Sequence, residues 1–174
     1  KSNNDPKVRS IVGELPEILS ELKSKKFDFV FDFTTKSVSQ AEYITKNVSF
    51  DAYIFISTVW IDKKFPKDTR LTHIFNLTRQ YILYKQQLEN YFFTKNQQSQ
   101  KFFSIRLPIQ IGANDHTARM AFYRQRVVDG RAIIGIEDYG MYLQIVESTD
   151  IAKLLSKIPE NVSLMRNSFI WDCL

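Results

Sequence analysis

A chain of 174 residues with 44% apolar and 14% aromatic side chains is long enough to bury one hydrophobic core and too apolar to stay disordered. Its net charge of +5 is spread among carboxylates, with lysines at 23–26 and 63–64, so no long basic stripe marks a nucleic-acid surface. No apolar run reaches the roughly 18 residues a membrane helix needs; the single Cys173 excludes an internal disulfide framework and fits a reducing compartment (cytoplasm or organelle matrix), and with only His73 and His116 beside it forms no metal-ligand cluster.

Along the chain, apolar β-rich runs alternate with helical patterns. Residues 8–12 (VRSIV) read as a short strand, and 15–23, with Pro16 near the start, as a helix. A second strand is expected at 27–33 (FDFVFDF) and a second helix at 38–46. The run YIFI at 53–56 is the third strand, apolar throughout as a strand covered on both faces should be. A long helix follows over 71–93, then a short polar loop at 97–100 (QQSQ), then a fourth strand at 101–107 (KFFSIRL). The residues NDHT at 114–117 are expected to cap a helix over 117–128. Short strands at 132–136 and 142–146, a helix at 148–155 and a last apolar run at 168–171 complete the chain.

Such alternation argues for an α/β domain with a mostly parallel sheet, which binds ligands beyond the carboxyl ends of its strands. Three strand ends are therefore of interest: DFTT at 32–35, ST at 57–58 and GAND at 112–115. In YILYKQQLE, Tyr81 and Lys85 stand four apart and share one helix face. An ammonium close to a phenol favours the phenolate and lowers the tyrosine pKa from about 10, which suits a general acid–base catalyst. Ser57 and Thr58 could hydrogen-bond the same substrate oxygen. The plain alternative is a surface tyrosine beside a snorkelling lysine. Asp28 and Asp32 share a strand face, and a strand-end aspartate is ordinarily a turn or cap residue. Asn114 and Arg119 have a second possible role lining a substrate pocket, while Arg124 and Arg126 read as surface.

A strand ending in Ser-Thr, a helix with Tyr-x-x-x-Lys-x-x-x-Glu (Tyr81, Lys85, Glu89) and a strand with Arg-Leu-Pro and a following Gly112 resemble the extended short-chain dehydrogenase/reductase superfamily, which includes nucleotide-sugar epimerases and dehydratases. VGEL at 12–15 looks like the family's Gly-Asp strand end, and 27–35 like the strand after which the chain passes the cofactor. QIVESTDIA at 144–152 is similar to a later family segment, so the resemblance covers nearly the whole chain. It implies a partial Rossmann-like domain, doubly wound with a mostly parallel sheet, over 1–115. The start of a small substrate lobe would occupy 116–140, and 141–174 would return to the sheet.

The resemblance further implies that Tyr81 is the acid–base residue and that Lys85 lowers its pKa and holds the nicotinamide ribose. Thr58, with Ser57 as the second choice, would orient the substrate oxygen. Glu14, Asp32, Phe33, Thr34 and Pro108 would lie beside NAD or NADP, and Asn114 and Arg119 beside a small-molecule substrate such as a nucleotide sugar. The family's glycine-rich fingerprint is missing: the five glycines (13, 112, 130, 135 and 140) form no Gly-x-x-Gly-x-x-Gly. Asp62 also stands where the family often has tyrosine. These departures point to a fragment of a longer protein, inactive alone, whose sheet is completed by a preceding segment or a partner chain. A homodimer is the other expected assembly; a membrane or nucleic-acid partner is not expected. The alternative reading is a non-catalytic superfamily member that binds RNA or serves as a scaffold.

Overall fold

The structure of the protein, a computed structural model, describes residues 7–62, 72–99, 101–113, 115, 117–132, 144–165 and 168–173, except the side chains of 62, 72–77, 119, 164 and 165. Helix α1 (Leu15–Leu22) leads to β1 (Lys26–Asp32), and α2 (Val38–Asn47) to β2 (Ser49–Thr58). After a 3-10 turn (Val59–Asp62), the long α3 (Thr72–Ser99) leads to β3 (Phe102–Leu107). The rest comprises β4 (Ile109–Ile111), α4 (Arg119–Val128), β5 (Ile145–Glu147), α5 (Ser148–Ser156), α6 (Ile158–Met165) and β6 (Ile170–Asp172). Strands β1, β2, β3 and β6 lie side by side in that order, all parallel, and β4 and β5 form a small parallel pair of their own. The molecule is thus α/β, with helices on both faces of a partial Rossmann-like sheet.

Strand β2 shows why. Side chains alternate across a strand, so Tyr53 and Phe55 face one side and Ile54 and Ile56 the other. Tyr53 and Phe55 pack with Leu19 of α1, Ala41 of α2, and Leu88 and Phe92 of α3. Ile54 and Ile56 pack with Phe103 and Ile105 of β3, Ile151 of α5 and Ile158 of α6. A strand with no solvent side must be apolar at every position, and β2 is buried from Ala52 through Thr58. The first core is largely aromatic: the fully buried Phe92 ring lies 5.0 Å from Tyr53, 5.1 Å from Phe55 and 5.7 Å from Phe102. Helix α3 reaches this core along one stripe, Ile82, Lys85, Leu88, Glu89 and Phe92, all buried. Two members of that stripe are charged, and they define the site.

Several expectations need correction. Residues 8–12 form no strand; Val8 is 58% and Val12 96% exposed, and no described strand offers them a partner, so β1 is an edge of the sheet among the described residues. The polar stretch at 97–99 is helix rather than loop, because no Gly or Pro interrupts α3 and the two glutamines are good helix formers. Asn96 Oδ1 then accepts the Phe102 N–H at 3.0 Å, which anchors the turn into β3. Helix α4 begins at Arg119 with Ala118, in the left-handed region (φ 49°), at its cap and no side-chain cap bond; Asp115 instead accepts from the Thr117 N–H. The expected strand at 132–136 lies outside the described residues from 133 on, and the next is found as Ile145–Glu147. Helix α6 follows α5 after a single residue, a break that no Gly or Pro pattern before Ile158 announces. No described helix is long and apolar enough to cross a membrane.

Candidate active site

Because β1, β2 and β3 run parallel, their carboxyl ends meet at one edge of the sheet, and α3 passes over that edge. A cavity of about 510 Å³ opens there. Its lining includes Phe33 after β1, Ser57 and Thr58 at the end of β2, Tyr81 and Lys85 of α3, and Pro108 after β3. The structure therefore gathers six of the predicted site residues around one space.

The Tyr81 side chain, 38% exposed, faces the Thr58 hydroxyl in this cavity. Burial pushes its phenol above the ordinary tyrosine range, and the nearby Thr58 hydroxyl only partly opposes this. That reverses the expected lowering by Lys85. The Lys85 ammonium lies 6.0 Å from the Tyr81 ring centroid and gives a hydrogen bond of 2.6 Å to the Ile56 carbonyl instead. Tyr81 thus keeps its proton at neutral pH, the state of a proton donor.

Lys85 is 4% exposed, and its ammonium lies 4.5 Å above the Phe55 ring and 5.7 Å from that of Tyr84. Burial pulls its pKa down to about 8, while the carboxylates of Asp32 and Glu89 act in the other direction. With three donors on the ammonium and one spent on Ile56, capacity remains for a ligand. Burial also pushes Tyr84 up to about 12, with a smaller contribution from Tyr81. The Ser57 hydroxyl is buried with no hydrogen-bond partner among the described residues. An orphaned polar atom of this kind costs stability unless a ligand or water completes it.

The remaining predicted residues lie elsewhere. Asp32 is buried, and its carboxylate accepts from the N–H groups of Thr34 and Thr35, each at 3.0 Å, and from the Tyr53 hydroxyl at 2.6 Å. It closes a turn, the ordinary role of a strand-end aspartate. Burial first, and then Asp32, drive the Tyr53 pKa upward. Thr34 is exposed, and Glu14 sits at the start of α1, where its N–H meets the Glu17 carboxylate at 3.4 Å. None of the three lines the cavity. Asn114 and the Arg119 side chain lie outside the described residues.

Sequence reasoning placed Glu89 and Arg106 in the family pattern without a physical role. Ser104 and Arg106 alternate with apolar residues on the β3 face that meets α3. Glu89 takes hydrogen bonds from Ser104 Oγ at 2.9 Å and from Arg106 Nε at 2.9 Å and Nη2 at 2.7 Å. Arg106 also faces Asp172 of β6 at 3.9 Å. The signal was present: charges inside otherwise apolar, helix-spaced and strand-spaced patterns must be paired when buried. Beyond β4, Gly112 has φ +147°, and a side chain there would run into Ser148 at the start of α5. Close approach of these segments therefore requires glycine.

No group of three or more His, Cys, Asp or Glu suited to a metal occurs among the described residues. Comparison with known proteins finds no matching family model, and no curated protein or solved structure matches the chain. Whether the site suits a nicotinamide cofactor must be judged on its own groups. The orphaned Ser57 hydroxyl and the spare donors of Lys85, beside Phe33 and Pro108, fit the polar and apolar sides of a nicotinamide ribose. No glycine-rich turn in the sequence fits the pyrophosphate.

Proposed function

We propose that this chain carries the acid–base half of a nicotinamide-dependent oxidoreductase or epimerase acting at a hydroxyl or carbonyl carbon, for example of a nucleotide sugar. One observation carries the reading: a protonated Tyr81 facing Thr58, with the Ser57 hydroxyl unpartnered among the described residues and the buried Lys85, around one cavity at the carboxyl edge of a parallel sheet. Tyr81 would give its proton to the substrate oxygen and recover it in the reverse direction. Thr58 holds the phenol in place, and Ser57 supplies a hydrogen bond to the same oxygen. The spare donors of the Lys85 ammonium would hold the ribose of the nicotinamide cofactor. A bound NAD or NADP would give or take the hydride.

In this reading a further segment or partner chain completes the sheet beside β1 and supplies the pyrophosphate loop. Residues 116–140 belong to a substrate lobe and 141–174 return to the sheet, in keeping with the pairing of β6 and β3. The test uses the longest natural form of the chain, with calorimetry against NAD and NADP and turnover followed by nicotinamide absorbance over a panel of nucleotide sugars. Tyr81→Phe should abolish turnover and leave cofactor binding intact; full activity in that variant sinks the proposal. The lack of a glycine-rich turn favours one other reading, a non-catalytic RNA-binding or scaffold protein. Absence of binding to either nucleotide, together with salt-dependent RNA binding, would select it.

A further inference from the structure

A second cavity, larger than the first, lies against the opposite face of the sheet, where β3 and β6 meet β5, α5 and α6. Its volume is about 870 Å³. The floor is made of Ile105, Ile151 and Ile158, all buried members of the second core. Ile145, Leu154 and Trp171 stand around it and remain 41%, 45% and 39% exposed. Large apolar groups left open around a hollow, rather than scattered over a convex surface, mark a place where something apolar is accommodated. The volume falls in the range of small-molecule sites, roughly 300–1,000 Å³.

The polar groups around the hollow narrow the ligand further. Asp150 is paired with Lys153 at 2.9 Å, Lys157 with Glu160 at 3.2 Å, and Asp172 faces Arg106 at 3.9 Å. Each charge on this lining is answered within the protein, so the site offers none to a ligand. Two neutral groups remain available. The Gln144 side chain has no partner among the described residues, and Asn161 uses its Nδ2 on the Lys157 carbonyl and leaves its side-chain oxygen open. We propose that this cavity is a binding site for a small, uncharged, mainly apolar molecule bearing one or two hydrogen-bonding groups, which meet Gln144 and Asn161. The site does not depend on the reading of the first cavity, although Pro108 lines both.

Two side chains make the proposal testable. Trp171 lines this cavity and Trp60 the other, so Trp60→Phe leaves Trp171 as the sole tryptophan of the chain. Cys173, the sole cysteine, also lines it. The probe is N-phenyl-1-naphthylamine, a neutral apolar fluorophore. It should bind saturably with one equivalent per chain, show energy transfer from Trp171 in the Trp60→Phe protein, and slow maleimide modification of Cys173 in the unaltered chain. Leu154→Arg places a charge on the wall at a partly exposed position and should weaken binding by at least about tenfold, since an unpaired charge against an apolar ligand is costly. Tyr81→Phe, in the first cavity, should bind the probe unchanged.

Non-saturable binding, or equal binding by a folded Leu154→Arg protein, would overturn the proposal. Should Leu154→Arg fail to fold, Leu154→Gln and the protection of Cys173 in the unaltered chain decide the matter; no protection overturns it. Probe binding that falls as concentration rises, with light scattering showing a dimer, would assign the cavity to a second copy of the chain and overturn it as well.

Discussion

Replacing Lys85 by methionine keeps the length of the side chain and removes its titration. In the native protein Lys85 has a pKa of about 8, against 10.5 for an unburied lysine. At about 1.4 kcal/mol per pH unit the gap corresponds to roughly 3 kcal/mol. Well below pH 8 both folded and unfolded chains hold the proton, and the native state carries the full cost of a buried ammonium. Between about pH 8 and 10.5 the unfolded chain binds more protons than the native one, so stability rises with pH through this window. Above it both forms are neutral and the cost has disappeared. Urea unfolding of the two proteins at about pH 7 and pH 10.5 should show the unaltered chain gaining up to roughly 3 kcal/mol relative to Lys85→Met, with equal m-values. The tyrosines are common to both proteins and cancel in the difference. A difference constant to within about 0.5 kcal/mol across the window would mean that the ammonium is hydrated in the native state, and the account of the site would fail.

The buried pair of α3 and β3 makes a second test. Arg106→Met leaves the Glu89 carboxylate with Ser104 alone and should cost about 3–5 kcal/mol in urea unfolding, whereas Glu89→Leu combined with Arg106→Met should recover most of it. Additive losses in that cycle would show the two groups to be independent. Gly112→Ala sets a Cβ at a positive φ and against Ser148, and thermal unfolding should show a loss above about 1 kcal/mol. Ser148→Ala in the same chain should restore only part of the loss, because the backbone strain stays; complete rescue would assign the effect to the contact alone.

Periodicity made most of the framework legible. The unbroken apolar run of β2 is what a strand covered on both faces demands, the alternating phenylalanines of β1 suit a strand at the edge of the described sheet, the spacing of Leu88 and Phe92 gives α3 one buried stripe, and the elements fall where those patterns put them. Residues 8–12 have a strand's composition, but a strand exists only with a neighbour to bond, and composition cannot supply one. The end of α3 is hidden for the opposite reason: its residues are as polar as a loop's, yet no breaker stops the helix. At the site, position proved more legible than electrostatics. The spacing of Tyr81 and Lys85 placed both at one cavity, yet the pKa direction of Tyr81 came out reversed, because it depends on depth and on where the ammonium spends its hydrogen bond. The Ile56 carbonyl that receives it is a backbone group, to which no side-chain pattern points.

The two charged members of the buried α3 stripe explain how the site comes to be where it is. An amphipathic helix on an apolar face can slide and roll at small cost, since dispersion and burial are not directional. Lys85 and Glu89 remove that freedom. One is tied to the end of β2 through the Ile56 carbonyl, and the other, one turn further on, to β3 through Ser104 and Arg106. Displacement of α3 along its axis would leave a buried charge unpaired at one end or the other, at a cost of several kcal/mol. Tyr81, one turn before Lys85, is thereby held at the cavity mouth beside Thr58 without any strong bond of its own to the ammonium. The depressed pKa of Lys85 and the fixed position of Tyr81 are then two consequences of one arrangement: charge is buried in the helix interface to fix its register, and the phenol at its open end inherits a defined place.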